Sequence, residues 1–393
     1  MIKSQKKTNI MQLLEQYSMD KRIEKVNLTA GIYTNEDGVS PILESVKEAE
    51  YYRTKNQVSK ASFNIAGAAE FHQAVRTVLF PDTKGINEDE YTEVTQTLGA
   101  SGALHLAGRL IKHYAPQAKI WLSSPTWENH PALLESHLGG FGYYGYQAAN
   151  KDQLCLNTML DDLQQANPGD FVLLHVCCHN PTGIDPTSFD WKLLADFFAK
   201  RKLIPLFDFA YQGFANSIQK DAEPLTIFKK YVDTLIICNS FSKNMGIYDE
   251  RTGALTLVFK DREKLAHWKK TLRGLIRGSY SMPPVHGSFI ASHIINDTGR
   301  FAHWEKEVEG IRNDLDQRRS LFFSELSNNG IIDEIMPYRQ QKGMFLYLNL
   351  SQEKIESLRE NYGIYLLDSG RMCIASLSTA DMERVAKAIM NVL

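Results

Sequence analysis

A lysine that follows an apolar run is the first residue of this 393-residue chain with an evident chemical use. In Ser240-Phe241-Ser242-Lys243-Asn244 the preceding stretch, Thr234 to Asn239, has the composition of a buried strand. Lys243 at its end is open to desolvation, which lowers the pKa of an amine and makes it a nucleophile toward an aldehyde. Arg251 and Ser240 add a guanidinium fork and a hydroxyl, both suited to gripping a phosphate. Asp208 closes a second apolar run, Leu203 to Phe207, and Tyr211 follows it. A carboxylate there can pair with a protonated ring nitrogen, and the tyrosine can hydrogen-bond a phenolic oxygen on the same ring. In His175-Val176-Cys177-Cys178-His179-Asn180-Pro181-Thr182-Gly183 a strand from Phe171 to Cys178 breaks into a turn, where Asn180 can point at that oxygen. Gly99-Ala100-Ser101-Gly102-Ala103 leads into a helix whose N-terminal amides, with the Ser101 hydroxyl, form an anion cradle. Trp127 offers a surface for stacking on a flat ring.

Each segment alone admits a plainer reading: a surface lysine, an aspartate capping a helix, a packed aromatic, or a turn built of Asn, Pro and Gly for backbone reasons. The His and Cys residues do not add up to a metal site. Adjacent Cys177 and Cys178 on a strand point to opposite faces, and no Cys-x-x-Cys occurs among the five cysteines, so no metal is expected. The glycine segment lacks both the Walker lysine and the dinucleotide fingerprint, which weighs against an NTPase or a dehydrogenase.

The elements that must position these residues follow from the pattern between Gly99 and Phe259. Apolar runs at Lys119 to Ser123, Phe171 to Cys178, Leu203 to Phe207 and Thr234 to Asn239 alternate with amphipathic stretches at Ser101 to Tyr114, His130 to Leu138, Ser188 to Arg201 and Leu225 to Tyr231. This alternation predicts an α/β fold with a mostly parallel sheet covered by helices, whose ligands collect beyond the carboxyl ends of the strands. Past Asp261 the pattern turns to long helices, notably Ile311 to Asn328. The tail then mixes strands at Phe345 to Leu348, Ile364 to Leu367 and Met372 to Ala375 with helices, as a smaller α+β unit would. Lys and Arg (44) nearly balance Asp and Glu (46), which gives no electrostatic footprint for nucleic acid or an acidic membrane and leaves small molecules as partners. Met11 to Glu15 is amphipathic rather than a secretory apolar stretch, and no apolar run approaches the roughly 18 residues of a membrane span, so a cytoplasmic protein with reduced cysteines is expected.

Taken together, Ser240-Phe-Ser-Lys243-Asn-Met-Gly-Ile-Tyr-Asp-Glu-Arg251, Asp208-Phe-Ala-Tyr211-Gln-Gly-Phe and His179-Asn180-Pro-Thr-Gly-Ile-Asp-Pro closely resemble the aspartate and aromatic amino-acid aminotransferases of fold type I. The likeness runs from about Val26 to the C-terminus. It implies pyridoxal 5'-phosphate as cofactor, held by Lys243 as a Schiff base, with Lys243 also the proton shuttle. It further implies Asp208 as partner of the pyridine nitrogen, Tyr211 and Asn180 as ligands of the phenolic oxygen, and Trp127 stacked on the ring. Phosphate contacts fall by the same likeness on Ala100, Ser101, Ser240 and Arg251, and His130 and His175 stand behind Asp208. Arg371 matches the arginine for the substrate α-carboxylate, and Gly31 lines the substrate mouth. Arg277 matches an arginine reaching from a neighbouring subunit to a side-chain carboxylate, which implies a homodimer with shared sites. The implied layout is an N-terminal arm over 1–40, a large cofactor domain over 41–310 and a smaller domain over 311–393.

The pattern breaks at Ser62, which stands where the family usually has a tyrosine reaching the phosphate from the partner subunit. Ala61, Ile32 and Met282 make the expected substrate surroundings small or apolar, favouring room for an aromatic side chain. The expectation is an aminotransferase moving the amino group of aromatic and dicarboxylic L-amino acids to 2-oxoglutarate by a ping-pong mechanism. The alternatives are a strict aspartate aminotransferase, a lyase or decarboxylase using the same cofactor, and a non-catalytic ligand binder on the same fold.

Overall fold

The computed structural model describes residues 10–81, 91–134, 139–148, 153–328, 336–348 and 350–393. Its strands are β1 (Val26–Asn27), β2 (Thr92–Leu98), β3 (Ile120–Ser124), β4 (Phe141–Gly145), β5 (Phe171–His175), β6 (Ile204–Phe209), β7 (Thr234–Ser240), β8 (Thr252–Phe259), β9 (Phe345–Tyr347), β10 (Ile364–Tyr365) and β11 (Arg371–Cys373). Seven of them form one sheet in the order β2-β8-β7-β6-β5-β3-β4. Only β8 opposes its neighbours; the pairs from β7 across to β4 are parallel. Parallel neighbours need crossovers: His130–Leu134 lies between β3 and β4, Ser188–Arg201 between β5 and β6, and Glu223–Tyr231 between β6 and β7, while Leu156–Leu163 brings the chain from the edge strand β4 back to β5. Covered on both faces, β5, β7 and β8 are buried at every position, as their runs of Val, Leu and Ile require.

Local chemistry fixes where the crossovers begin and end. Thr187 and Asp190 cap helix Ser188–Arg201 reciprocally, the Thr187 hydroxyl accepting from the Asp190 amide and the Asp190 carboxylate from the Thr187 amide. The helix stops at Lys202, which takes a left-handed φ of 55°. Strand register then aligns the chemistry along one edge. His175 pairs with Asp208, Asp208 with Cys238, Ser240 with Gly253, and Leu98 with Thr252, so the segments carrying Asn180, Asp208, Lys243, Ser101 and Arg251 all leave or enter the sheet there.

A smaller body packs around a second core that includes Leu28, Leu346, Ile355, Met372, Val385 and Ile389, with β1 beside β10 and β9 against β11. The helix Thr298–Asn328 serves both bodies. Trp304, Val308, Ile311 and Leu315 join the core under the large sheet, while Phe322, Phe323 and Leu326 join the second. This helix begins well before the Ile311 expected from charge periodicity, because its first turns bury Trp304 and Val308 rather than facing solvent. The strand expected over Phe171 to Cys178 ends instead at His175, because Cys178 is held at φ 50° in the following turn. Asp208 lies within β6 rather than after it. The helix expected over His130 to Leu138 is seen over His130–Leu134, its remaining residues lying outside the described ones. No helix among the described residues is long and apolar enough to cross a membrane.

Candidate active site

Asp208 is buried, and burial alone would raise its pKa. The hydrogen bond that His130 Nε2 donates to Asp208 Oδ2 at 3.0 Å and the positive charge around it, Lys243 included, together outweigh burial, so the carboxyl stays below its usual range. The Thr126 hydroxyl lies 2.8 Å from His130 Nδ1 and fixes the ring. His175 meets the His130 ring edge-on at 5.1 Å, and its Nδ1 accepts from the Asn180 amide at 3.2 Å. Burial pushes the His175 pKa down to about 3, so the imidazole is neutral with its proton on Nε2. Asp208 Oδ1 is buried without a hydrogen-bond partner, an ionised acceptor aimed at nothing in the protein.

Lys243 follows β7 in the short turn beyond Ser240. Desolvation lowers its amine to about 8, helped by Arg251 and Arg371 and opposed by Asp208. Its Nζ sits 5.1 Å from the centre of the Tyr211 ring, over the face. Burial drives the Tyr211 hydroxyl above the usual phenol range, and this hydroxyl accepts from Asn180 Nδ2 at 3.5 Å. The Asn180 carbonyl oxygen accepts in turn from Arg371 Nη1 at 3.1 Å, while Arg371 Nη2 donates to the Thr29 carbonyl at 2.8 Å. Arg371 Nε is buried and unpartnered, so the fork keeps donor capacity.

A second cluster lies where β2, β7 and β8 meet. Gly99, at φ 68°, opens helix Gly99–Tyr114 and donates its amide to the Arg251 carbonyl at 3.0 Å. A Cβ on Gly99 would stand 2.8 Å from Arg251 Nη2, so only glycine leaves the guanidinium its place. Arg251 itself takes φ 50° and donates to the Tyr248 carbonyl at 2.8 Å and to Ser242 Oγ at 3.4 Å. Ser240 Oγ lies 3.0 Å from Ser242 Oγ. Ala100 and Ser101 occupy the first helical turn, whose amides have no preceding turn to bond. Two hydroxyl groups, a guanidinium and a helix N-terminus thus converge on a site for an anion.

The structure brings together Lys243, Asp208, Tyr211, Asn180 and Arg371, and joins Ala100, Ser101, Ser240 and Arg251 in the adjoining cluster. Trp127 is half-buried with its ring edge-on to His130 at 5.2 Å. Gly31 abuts Phe345, whose Cζ would lie 2.8 Å from a Cβ at that position. Arg277 is exposed and donates to the Ser281 hydroxyl, and it is not among the charges that shift Lys243. Ser62 is half-buried, beside Phe63 at 90% exposure. Sequence reasoning missed Ser242, Thr29, Asp185 and Phe345. Ser242 lay inside the lysine motif, whereas nothing distinguishes Phe345 from any apolar strand residue.

These features fit pyridoxal phosphate: an amine poised near neutrality, a buried carboxylate oxygen awaiting a cationic N–H, and an anion cradle that a side chain at Gly99 would fill. Comparison with known proteins agrees. Residues 23–389 match the family model for aminotransferase class I and II. The aspartate aminotransferase of Escherichia coli K12 is 36% identical over 384 residues, covering 98% of this chain and 97% of the relative. An aromatic-amino-acid aminotransferase of Pseudomonas aeruginosa is 36% identical over 383 residues, covering 98% and 96%. Among solved structures, the aromatic-amino-acid aminotransferase of Burkholderia pseudomallei, covalently bound to pyridoxal phosphate, superposes with a TM-score of 0.93 at 34% identity, over 100% of this chain and 98% of that one. The cytoplasmic aspartate aminotransferase of Saccharomyces cerevisiae gives a TM-score of 0.93 at 30% identity, over 97% and 95%.

Proposed function

The chain belongs to the class I and II aminotransferases and is a pyridoxal-phosphate-dependent enzyme acting on amino and keto acids; from this we propose the substrates and the roles of its side chains. The amino donors are aromatic and dicarboxylic L-amino acids, and the acceptor is 2-oxoglutarate. Relatives named for both substrate classes support this breadth, as does the apolar side chain of Ile32, 38% exposed.

When bound, the cofactor supplies an aldehyde that condenses with amines and a ring that takes up the electron pair left when the substrate Cα–H bond breaks. Lys243 is the residue that would hold that aldehyde. Its Nζ, when free, would take the proton from the substrate Cα, a task suited to an amine titrating near 8. Asp208, kept ionised by His130, holds a proton on the ring nitrogen through Oδ1. Asn180 and Tyr211 orient the phenolic oxygen. Ala100, Ser101, Ser240 and Arg251 anchor the phosphate, and Trp127 covers the ring face. Arg371 binds the α-carboxylate beside Gly31, and the same residues run in reverse for the keto acid, giving ping-pong kinetics.

Arg277 serves the site of a second subunit in a homodimer. Its exposure supports this, as does the exposed apolar surface of Ile42, Tyr51, Val58 and Phe63. The protein works in the cytoplasm. Its chain divides into an arm over 1–40, a cofactor domain over 41–310 and a small domain over 311–393; the core around Leu346, Ile355, Val385 and Ile389 supports the last of these.

The observation that carries the reading is Lys243, lowered to about 8, in one cluster with Asp208, Asn180 and Arg371. The test is to load the protein with pyridoxal phosphate and add L-phenylalanine or L-aspartate, each without a keto acid, while following the absorbance of the bound cofactor. Conversion by both supports the dual specificity. Conversion by aspartate alone makes the enzyme a strict dicarboxylate aminotransferase, and conversion by neither overturns the proposal.

A further inference from the structure

Arg371 reaches the site from β11, on the small body, yet its two backbone and side-chain acceptors, Thr29 O and Asn180 Oδ1, belong to two other segments of the chain. A guanidinium bonded at its outer nitrogens can still tilt about the line joining them, and tilt decides whether its free donors lie in the plane of a carboxylate. Phe345 is the side chain that fixes this tilt. Its ring lies under the guanidinium with Arg371 Cζ 4.0 Å from the ring centre, and Phe345 is 3% exposed. The ring is held in turn from two more directions. Tyr211 meets it edge-on at 5.8 Å, and the backbone of Gly31 leaves no space beyond it, since a Cβ there would come within 2.8 Å of Phe345 Cζ. Register completes the arrangement: Phe345 pairs with Cys373 and Tyr347 with Arg371 across β9 and β11, placing ring and guanidinium two rungs apart on the same face of the pair.

We infer that Phe345 is a positioning residue for substrate carboxylates, a ring clamped between Gly31 and Tyr211 that sets the plane of the Arg371 guanidinium. The inference rests on the proposed role of Arg371 and adds a specific origin for its orientation. It makes Gly31 part of the same device: glycine is required there because any side chain would push the ring off the arginine. A cation over a buried ring is worth enough for its loss to weaken carboxylate binding about tenfold.

The test uses the cofactor-loaded enzyme and two readouts. Calorimetry gives the dissociation constant of 3-phenylpropanoate, which has the carboxylate but no amine. Single-turnover absorbance gives the rate of conversion by 2-phenylethylamine, which has the amine but no carboxylate. Phe345→Leu and Gly31→Ala should each weaken 3-phenylpropanoate about tenfold and raise KM for L-phenylalanine and 2-oxoglutarate, and Phe345→Leu should leave the 2-phenylethylamine rate unchanged. Gly31→Ala displaces the ring without emptying the core, so agreement between the two variants separates orientation from misfolding. Arg371→Lys is the control for the underlying role. If it weakens 3-phenylpropanoate while the other two variants do not, Phe345 has no positioning role. If Arg371→Lys leaves binding intact, the carboxylate role of Arg371 fails and this inference with it. Equal loss of 3-phenylpropanoate affinity and of the 2-phenylethylamine rate in Phe345→Leu would also overturn it, because the ring would then be supporting the whole site.

Discussion

With its amine lowered to about 8, Lys243 is neutral in about one molecule in ten at pH 7, against fewer than about one in a thousand for an ordinary lysine. Burial contributes most of that shift, Arg251 and Arg371 add to it, and Asp208 opposes it. The sign makes a prediction. Cofactor-free protein should capture pyridoxal phosphate faster as pH rises from 7 to 9, with a midpoint near 8, followed by the absorbance of the bound cofactor. In Asp208→Asn the opposing charge is gone, so the midpoint should move lower even though turnover is lost. A midpoint that rises or stays would show that Asp208 does not act on this amine. Lys243, Asp208 and Asn180 could be read from the sequence because each sits in a motif of unlike residues at fixed spacing, and Arg371 followed only from the family resemblance. Phe345 and Thr29 could not, since one acts through its ring face and the other through its backbone carbonyl, and neither use leaves a mark on residue type.

The turn from Cys178 to Asp185 carries Asn180 into the site. Asp185 holds it from behind, its carboxylate accepting from the Cys178 amide at 2.8 Å and the His179 amide at 2.9 Å. This pair of bonds stabilises Cys178 at φ 50°, a conformation few side chains adopt. Asp185→Ala should therefore cost about 2 kcal/mol in urea unfolding and raise KM, because Asn180 is no longer held against Arg371. Thr187→Ala, which only uncaps the next helix, should cost about 1 kcal/mol and leave KM alone. Equal kinetic effects from the two would remove the special status of the turn. The helix Ser188–Arg201 was legible to the residue because its cap and its apolar positions agree. Strand β2 was not, since Thr92-Glu-Val-Thr-Gln-Thr-Leu98 is polar in composition and becomes a strand through its register with β8. Pairing between distant segments overrode local preference there.

For the molecule as a whole, the exposed apolar residues between Ile42 and Phe63 and the outlying Arg277 make one prediction about assembly. Lys243→Ala and Arg277→Ala variants, each deficient toward aspartate, should recover turnover when their subunits are mixed and allowed to exchange. The hybrid joins an intact Lys243 in one subunit to an intact Arg277 from the other. Mixing without recovery, with exchange verified by mass, would mean that each chain completes its own site. The helix Thr298–Asn328 sets a different property. Its early turns, around Trp304 and Val308, are packed into one core and its late turns, around Phe322 and Leu326, into the other, along a single uninterrupted run of backbone hydrogen bonds. A loop between two bodies swivels freely, but a continuous helix behaves as a stiff spring. Any closing of the smaller body over bound substrate must bend this rod or slide along its sides, and the elastic energy stored in closing becomes the force that reopens the enzyme when product leaves.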